Sequence, residues 1–195
     1  MNRTEPVTFY FDVGSPYAYL AASRVESVLG RPVHWQPVLL GGLFKLAGRS
    51  SWALGDSERR RRGMSEIEQR AARYGLPPVR WPDPWPDDYL AAMRVATYAG
   101  REGRAREYAL SAGGAAFADG RDLSGLGAAL DAAAAAGLDR EQARREAADQ
   151  AVKDELRAAT DAAHAAGVFG VPTVAVGGEL FWGDDRLEDA AAVLS

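Results

Sequence analysis

The chain contains no cysteine. That excludes a disulfide, a thiolate metal ligand and a thiol nucleophile of the protein's own. Histidine is almost as scarce. His34 and His164 are the only two, isolated in sequence and without ligand spacing, so each reads as an ordinary surface or packed histidine rather than half of a metal site. No apolar run is long enough to cross a bilayer and no basic-then-apolar leader is evident, so the expectation is no membrane and a cytoplasmic location by default. Positive charge is not in excess either. Lys and Arg number 23 against 27 Asp and Glu, a net charge of -4 that argues against nucleic acid as a partner. What remains is ordinary for a globular protein: 195 residues, 47% hydrophobic and 26% charged, enough for one large domain or two intimately joined ones.

The most informative stretch is Asp12-Val13-Gly14-Ser15-Pro16-Tyr17. Before it, Val7 to Phe11 is a β-branched and aromatic run that reads as a buried strand. After it, Tyr17, Leu20, Ala21, Val25, Val28 and Leu29 recur at helical spacing, which predicts an amphipathic helix up to Gly30. Gly14 permits the tight turn between them, Ser15 suits the N-cap, and Pro16 suits the first helical position, where no N–H is needed. A strand feeding a helix leaves Ser15 beside unpaired backbone donors at the positive end of the helix dipole, a place that favours an anion. Taken alone, Ser15 reads first as a helix cap. Its hydroxyl has two acceptor lone pairs and one donor, so it can cap the helix and still donate to a bound anion.

In chain order, Pro32 to Val38 reads as a second strand parallel to the first, joined right-handedly by the helix. Leu39 to Leu46 is expected as a short helix interrupted by Gly41-Gly42, and Gly48 to Ser51 as a loop. From Asp56 the chain turns helical, and the basic cluster Arg59 to Arg62 reads as a solvated face. Trp81-Pro82-Asp83-Pro84-Trp85-Pro86 must be a stiff extended loop, its two tryptophans either packed core or a lid over an apolar ligand. Helices are expected over Asp87 to Gly100, Arg104 to Phe117 and Leu123 to Ala136. Another begins after Asp139, with Gln142 placed as in a capping box, and a last long one spans Lys153 to Ala166. The β pattern then returns: Val171 to Val176, a Gly177-Gly178 turn, Glu179 to Trp182, and a final helix opening on Asp184-Asp185-Arg186-Leu187. The expected assembly joins the β-containing ends, 1–40 and 167–195, into one sheet, with an all-helical block, 41–166, inserted between them.

The βαβ…ββα order with Pro172 opening the third strand resembles a thioredoxin fold, here α/β with a large all-helical insertion. Val168-Phe169-Gly170-Val171-Pro172-Thr173, followed by Phe181-Trp182-Gly183-Asp184-Asp185-Arg186-Leu187, closely resembles 2-hydroxychromene-2-carboxylate isomerases. Phe9-Tyr10-Phe11-Asp12 and Ser15-Pro16-Tyr17-Ala18-Tyr19-Leu20 fit the same family at the other end. These enzymes are relatives of kappa-class glutathione transferases and DsbA-type thiol-disulfide oxidoreductases. In the oxidoreductases the turn carries Cys-x-x-Cys; here Ser15 and Ala18 stand there, and neither exchanges disulfides.

The resemblance implies that Ser15 is the catalytic residue, donating a hydrogen bond to the sulfur of glutathione, or of another low-molecular-weight thiol, and stabilising its thiolate. It implies a cis bond before Pro172, with the Val171 backbone pairing to the cysteinyl unit and Trp182 against the ligand. Asp184 and Asp185 match the pair holding the γ-glutamyl end, Asp185 being the one set for its ammonium. The implied partners are a small-molecule aromatic substrate and a second copy of the chain in a homodimer. The implied activity is glutathione-dependent cis-trans isomerisation. Alternatives are a kappa-class-like transferase or peroxidase, or a non-catalytic thiol-binding module. Arg49 follows Gly48 where the family commonly has Gly-Asn.

Overall fold

A computed structural model describes residues 6–194, so the expected segments 1–40 and 167–195 begin and end, at residues 1–5 and 195, outside the described residues. In β1 (Val7–Phe11) the side chains alternate, and Val7, Phe9 and Phe11 are buried on one face. Phe9 and Phe11 meet the ring of Trp35 edge-on at 4.8 and 5.9 Å. Burying each such phenylalanine contributes roughly 1.5–3 kcal/mol. β2 (His34–Pro37) lies parallel to β1 with Phe9 opposite Trp35. β3 (Thr173–Val176) lies antiparallel on the other side with Phe9 opposite Val174, and β4 (Glu179–Trp182) pairs with β3 across the glycine turn. The strand order β2-β1-β3-β4 joins the two ends of the chain in one mixed sheet, a thioredoxin-like arrangement with a helical insertion.

The first expected helix divides in two. α1 (Pro16–Ala22) ends where the Ser23 hydroxyl donates back to the Leu20 carbonyl, and α2 (Val25–Leu29) begins after Arg24. The Arg24 guanidinium lies 3.8 Å over the Tyr74 ring, donates to the Asp184 carbonyl and ion-pairs with Glu188. Contacts that far along the chain redirect the helix at a point where its own periodicity runs on.

α3 (Leu40–Leu46) is continuous through Gly41-Gly42, where an interruption was expected. Its first free amides are met from elsewhere: Thr160 Oγ1 accepts from Leu39 N–H at 3.0 Å and Asp12 Oδ2 from Leu40 N–H at 2.8 Å. A Cβ on Gly42 would sit 3.1 Å from Thr160 Cγ2, so this glycine serves close helix packing rather than a break. The insertion continues with α4 (Ser57–Arg73), α5 (Leu90–Arg101), α6 (Ala105–Phe117), α7 (Leu126–Ala135), α8 (Arg140–Ala148) and α9 (Gln150–Ala165). Asp139 caps α8 through Gln142 N–H at 2.6 Å, but the Gln142 amide turns forward to Glu146, so the capping box is only half formed. α9 starts earlier than expected because Asp149 closes α8 and caps α9 in one residue. A single 3-10 turn over Asp184–Arg186 leads into α10 (Leu187–Leu194).

The face of the sheet carrying Phe9, Phe11 and Trp35 packs into one core with α5 to α8, so the inserted helices and the sheet share their interior. On the other face Tyr10 packs with Val38, Leu43, Val168 and Val171, beneath α3 and the end of α9. Between these layers the turn after β1 is held tightly. A Cβ on Gly14 would fall 2.3 Å from Tyr89 Cδ2, inside van der Waals contact with a buried ring. Gly14→Ala is therefore expected to destabilise the protein by about 1–3 kcal/mol through overpacking, read as a lower urea midpoint with an unchanged denaturant slope.

Candidate active site

Ser15 is the N-cap of α1. Its Oγ accepts from Ala18 N–H at 3.2 Å and donates to the Val171 carbonyl at 3.4 Å, and the residue is 3% exposed. The first bond occupies a lone pair; the second, at the long end of the range, is all that engages its proton. The Val171–Pro172 bond is cis, as the family resemblance implied. The Pro172 carbonyl accepts from Gly183 N–H at 3.0 Å, tying the end of β4 alongside. The Val171 N–H finds no hydrogen-bond partner among the described residues.

These two residues form the floor of a cavity of about 520 Å³. Its walls are aromatic: Tyr17, Phe44, Trp52, Trp85 and Tyr89, with the half-exposed Trp182 at the lip. Trp182 can lie there because Gly170 has no side chain; a Cβ would come 2.7 Å from the indole Nε1. Phe169 braces Trp182 edge-on at 4.8 Å. The two tryptophans of the Trp81–Pro86 loop take different positions. Trp85 is 4% exposed, donates to the Gly14 carbonyl at 3.4 Å and is core and cavity wall at once. Trp81 packs against it with the rings tilted and 4.5 Å apart, donates to Glu68 and does not reach the cavity.

Among the described residues the cavity lining includes no cation; its ionisable groups are Asp12, the exposed Asp87 and Asp88, and the tyrosines. The cations stand outside the walls. Arg49 lies 5.6 Å over Trp182, Arg60 5.8 Å over Trp85 and Arg70 5.7 Å over Tyr17. Of the basic cluster, Arg60 thus belongs to the site, bonding the Trp85 carbonyl, while Arg59, Arg61 and Arg62 are exposed as expected. Burial, reinforced by Glu66, pushes the Tyr17 hydroxyl up to about 12, so it stays neutral.

Asp184 and Asp185 do not line this cavity. The Asp184 carboxylate is wholly buried, accepting from Arg70 at 2.8 Å and the Tyr74 hydroxyl at 2.9 Å. Burial raises its pKa despite Arg70, and it serves to hold Arg70 in place. Asp185 is exposed, 3.3 Å from Arg70, on a neighbouring depression of about 210 Å³ with Glu66 and Tyr74. Tyr17, beneath Arg70, separates the depression from the cavity. The structure brings Ser15, Val171 and Trp182 together, with Pro172 directly behind Val171. The sequence did not mark Arg70, Tyr74 or Trp52. Arg70 and Tyr74 share a face of α4, but no signal in α4 points toward the turn at Asp184.

Just ahead of β3, the buried Val171 has, among the described residues, a free N–H and a carbonyl engaged only by Ser15. The Ser15 proton is held by one long bond, and Arg70 and Asp185 place opposite charges side by side.

A family model for the DsbA-like thioredoxin domain matches residues 6–195. A protein from Sphingobium xenophagum called 2-hydroxychromene-2-carboxylate isomerase is 28% identical over 194 residues, 95% of each chain. One of the same name from Pseudomonas putida is 29% identical over 189 residues, 93% of this chain and 90% of the relative. The solved structure of a selenomethionine 2-hydroxychromene-2-carboxylate isomerase superposes with a TM-score of 0.81 at 25% identity, over 96% of this chain and 93% of that one.

Asp12 generates a prediction of its own. Its carboxylate is fully buried, and burial pushes its pKa up to about 6 although Leu40 and Gly14 N–H groups, each at 2.8 Å, pull the other way. With the folded value above the unfolded one, the folded state binds the proton more tightly. The stabilisation this brings is complete below about pH 4 and lost as pH rises through about 6, a difference of order 3 kcal/mol. Subtracting the urea-unfolding pH profile of Asp12→Asn from that of the wild type should isolate this fall. A flat difference curve assigns the Asp12 proton no part in stability.

Proposed function

Because this chain belongs to the DsbA-like thioredoxin domain family yet has no cysteine for disulfide chemistry, we propose that it is a glutathione-dependent isomerase of 2-hydroxychromene-2-carboxylate-like aromatic substrates. The observation that carries this reading is the meeting of Ser15 and Val171 on the floor of an aromatic cavity in a chain with no thiol of its own. Similarity over nearly the whole chain to proteins named for that isomerisation supports the substrate class. When bound, glutathione supplies the sulfur nucleophile the chain lacks, adding to and leaving an unsaturated side chain so that rotation becomes possible about a former double bond.

The chain's own residues do the rest. Ser15 keeps its Oγ lone pair on Ala18 N–H and turns its proton from the Val171 carbonyl to the sulfur, favouring the charged form. The Val171 N–H and C=O hold the thiol peptide's backbone, and Asp185 with Arg70 take its ammonium and carboxylate ends. Tyr17, Trp52 and Trp85 exclude water and stack against the substrate ring. The arginines behind the walls favour anionic ligands without donating a proton into the cavity.

The direct test is turnover of 2-hydroxychromene-2-carboxylate by the purified protein with and without glutathione, beside a general aromatic electrophile and a hydroperoxide. Isomerisation that needs the thiol and exceeds both other reactions is expected; activity confined to the electrophile or the peroxide removes the isomerase reading.

Ser15→Ala should impair chemistry more than thiol binding. Loss of one charge-assisted hydrogen bond raises the pKa of the bound thiol by roughly one to two units. Titration of the thiolate's ultraviolet absorbance in the two complexes measures the shift, and superimposable curves would reduce Ser15 to a helix cap. Asp185→Asn should weaken glutathione binding by about fivefold, less at high salt because the carboxylate is exposed, with melting unchanged. Calorimetric titration reads the effect, and an unaltered affinity takes Asp185 out of the site.

A further inference from the structure

A second cavity of about 850 Å³ lies on the opposite side of α3 from the first, between α3, α5 and α9. Leu39 lines both. Each bounding helix contributes positive charge to it: Lys45 from α3, Arg94 from α5, and Lys153 and Arg157 from α9. Lys45 and Lys153 are the only lysines in a chain with 23 basic residues. Among the described residues none of the four cations has an ion-pair partner within 4 Å. Asp161 is the single carboxylate on the lining, and it too stands unpaired.

The Arg94 Nε is shut from solvent with no hydrogen-bond partner, an unusual state for a guanidinium nitrogen. Lys153 and Arg157 are four residues apart on one helix face, a like-charge spacing that costs helix stability. The floor is apolar: Leu39, Leu90 and Leu156 line it, and Leu46, 48% exposed, stands at its edge. Unpaired cations converging over apolar surface in a chain of net charge -4 describe a site for an anion with an apolar body.

We propose that this groove binds a small carboxylate with an apolar body, its carboxylate on Arg94 and the lysines and its body on the leucines. The proposal uses none of the thiol chemistry and stands or falls apart from it.

Because the chain has just two lysines, both in the groove, amine acylation followed by mass spectrometry reads its occupancy directly. With 2-naphthoate as probe, acylation of Lys45 and Lys153 should slow saturably while the α-amino group reacts at its usual rate. 2-Naphthamide, without the charge, and inorganic phosphate, without the body, should give no protection at the same concentration. Arg94→Gln, and separately the more exposed Arg157→Gln, should raise the naphthoate concentration needed for half protection by about tenfold, with unchanged melting and unchanged thiol-dependent activity. Equal protection by the amide overturns the charge recognition, and equal protection by phosphate overturns the apolar subsite. Protection that grows with protein concentration alone assigns the groove to a second copy of the chain and overturns the small-molecule site. No protection, or protection indifferent to both substitutions, overturns it as well.

Discussion

Asp12 is buried without an ion pair among the described residues, and two backbone N–H groups from separate parts of the chain converge on it. One belongs to Gly14, in the turn that presents Ser15; the other to Leu40, at the start of α3. Each oxygen answers a donor that the local backbone leaves unsatisfied, so the carboxylate pins the exit of β1 to the helix that forms the far wall of the cavity. Burial opposes this charge strongly enough to lift its pKa to about 6, so the knot works against its own desolvation. The position of Ser15 relative to Val171, the packing of Gly14 under Tyr89 and the separation of the two cavities by α3 all depend on it.

Around that knot the electrostatics are arranged in layers. The interior of the first cavity is neutral and aromatic, and arginines stand on the outer faces of Trp182, Trp85 and Tyr17. A guanidinium over an aromatic face is held by the ring quadrupole and stays hydrated on its other side. Its field reaches the cavity while its protons do not. Arg70 is the most heavily committed of the three. Burial disfavours its charge, but Asp184, Asp185 and Glu66 more than compensate and hold it protonated. The buried Asp184 fixes its direction and the exposed Asp185 leaves one side of it open.

Apolar surface is spent with similar economy. Of the large hydrophobic side chains exposed among the described residues, Leu54 and Trp182 line the first cavity and Leu46 the second. α3 serves both, turning Leu40 and Phe44 to one cavity and Lys45 and Leu46 to the other. It can lie between them because Gly42 lets it close on Thr160 of α9.

What was legible in the sequence was whatever a few adjacent residues decide for themselves. The strand from Val7, the turn at Gly14, the cap at Ser15, the glycine hairpin and the proline motif at Val171-Pro172 were each readable, because backbone sterics and local hydrogen bonds act over about one turn of chain. The tertiary structure decided the rest. It broke the first helix at Arg24, ran α3 through two glycines, drew Trp85 but not Trp81 into the cavity, and set Arg70 against Asp184 across the fold. Each of these depends on a partner remote in sequence. Periodicity and propensity describe a segment's preference before that partner arrives, and a buried ion pair or a close ring contact outweighs such a preference once it does.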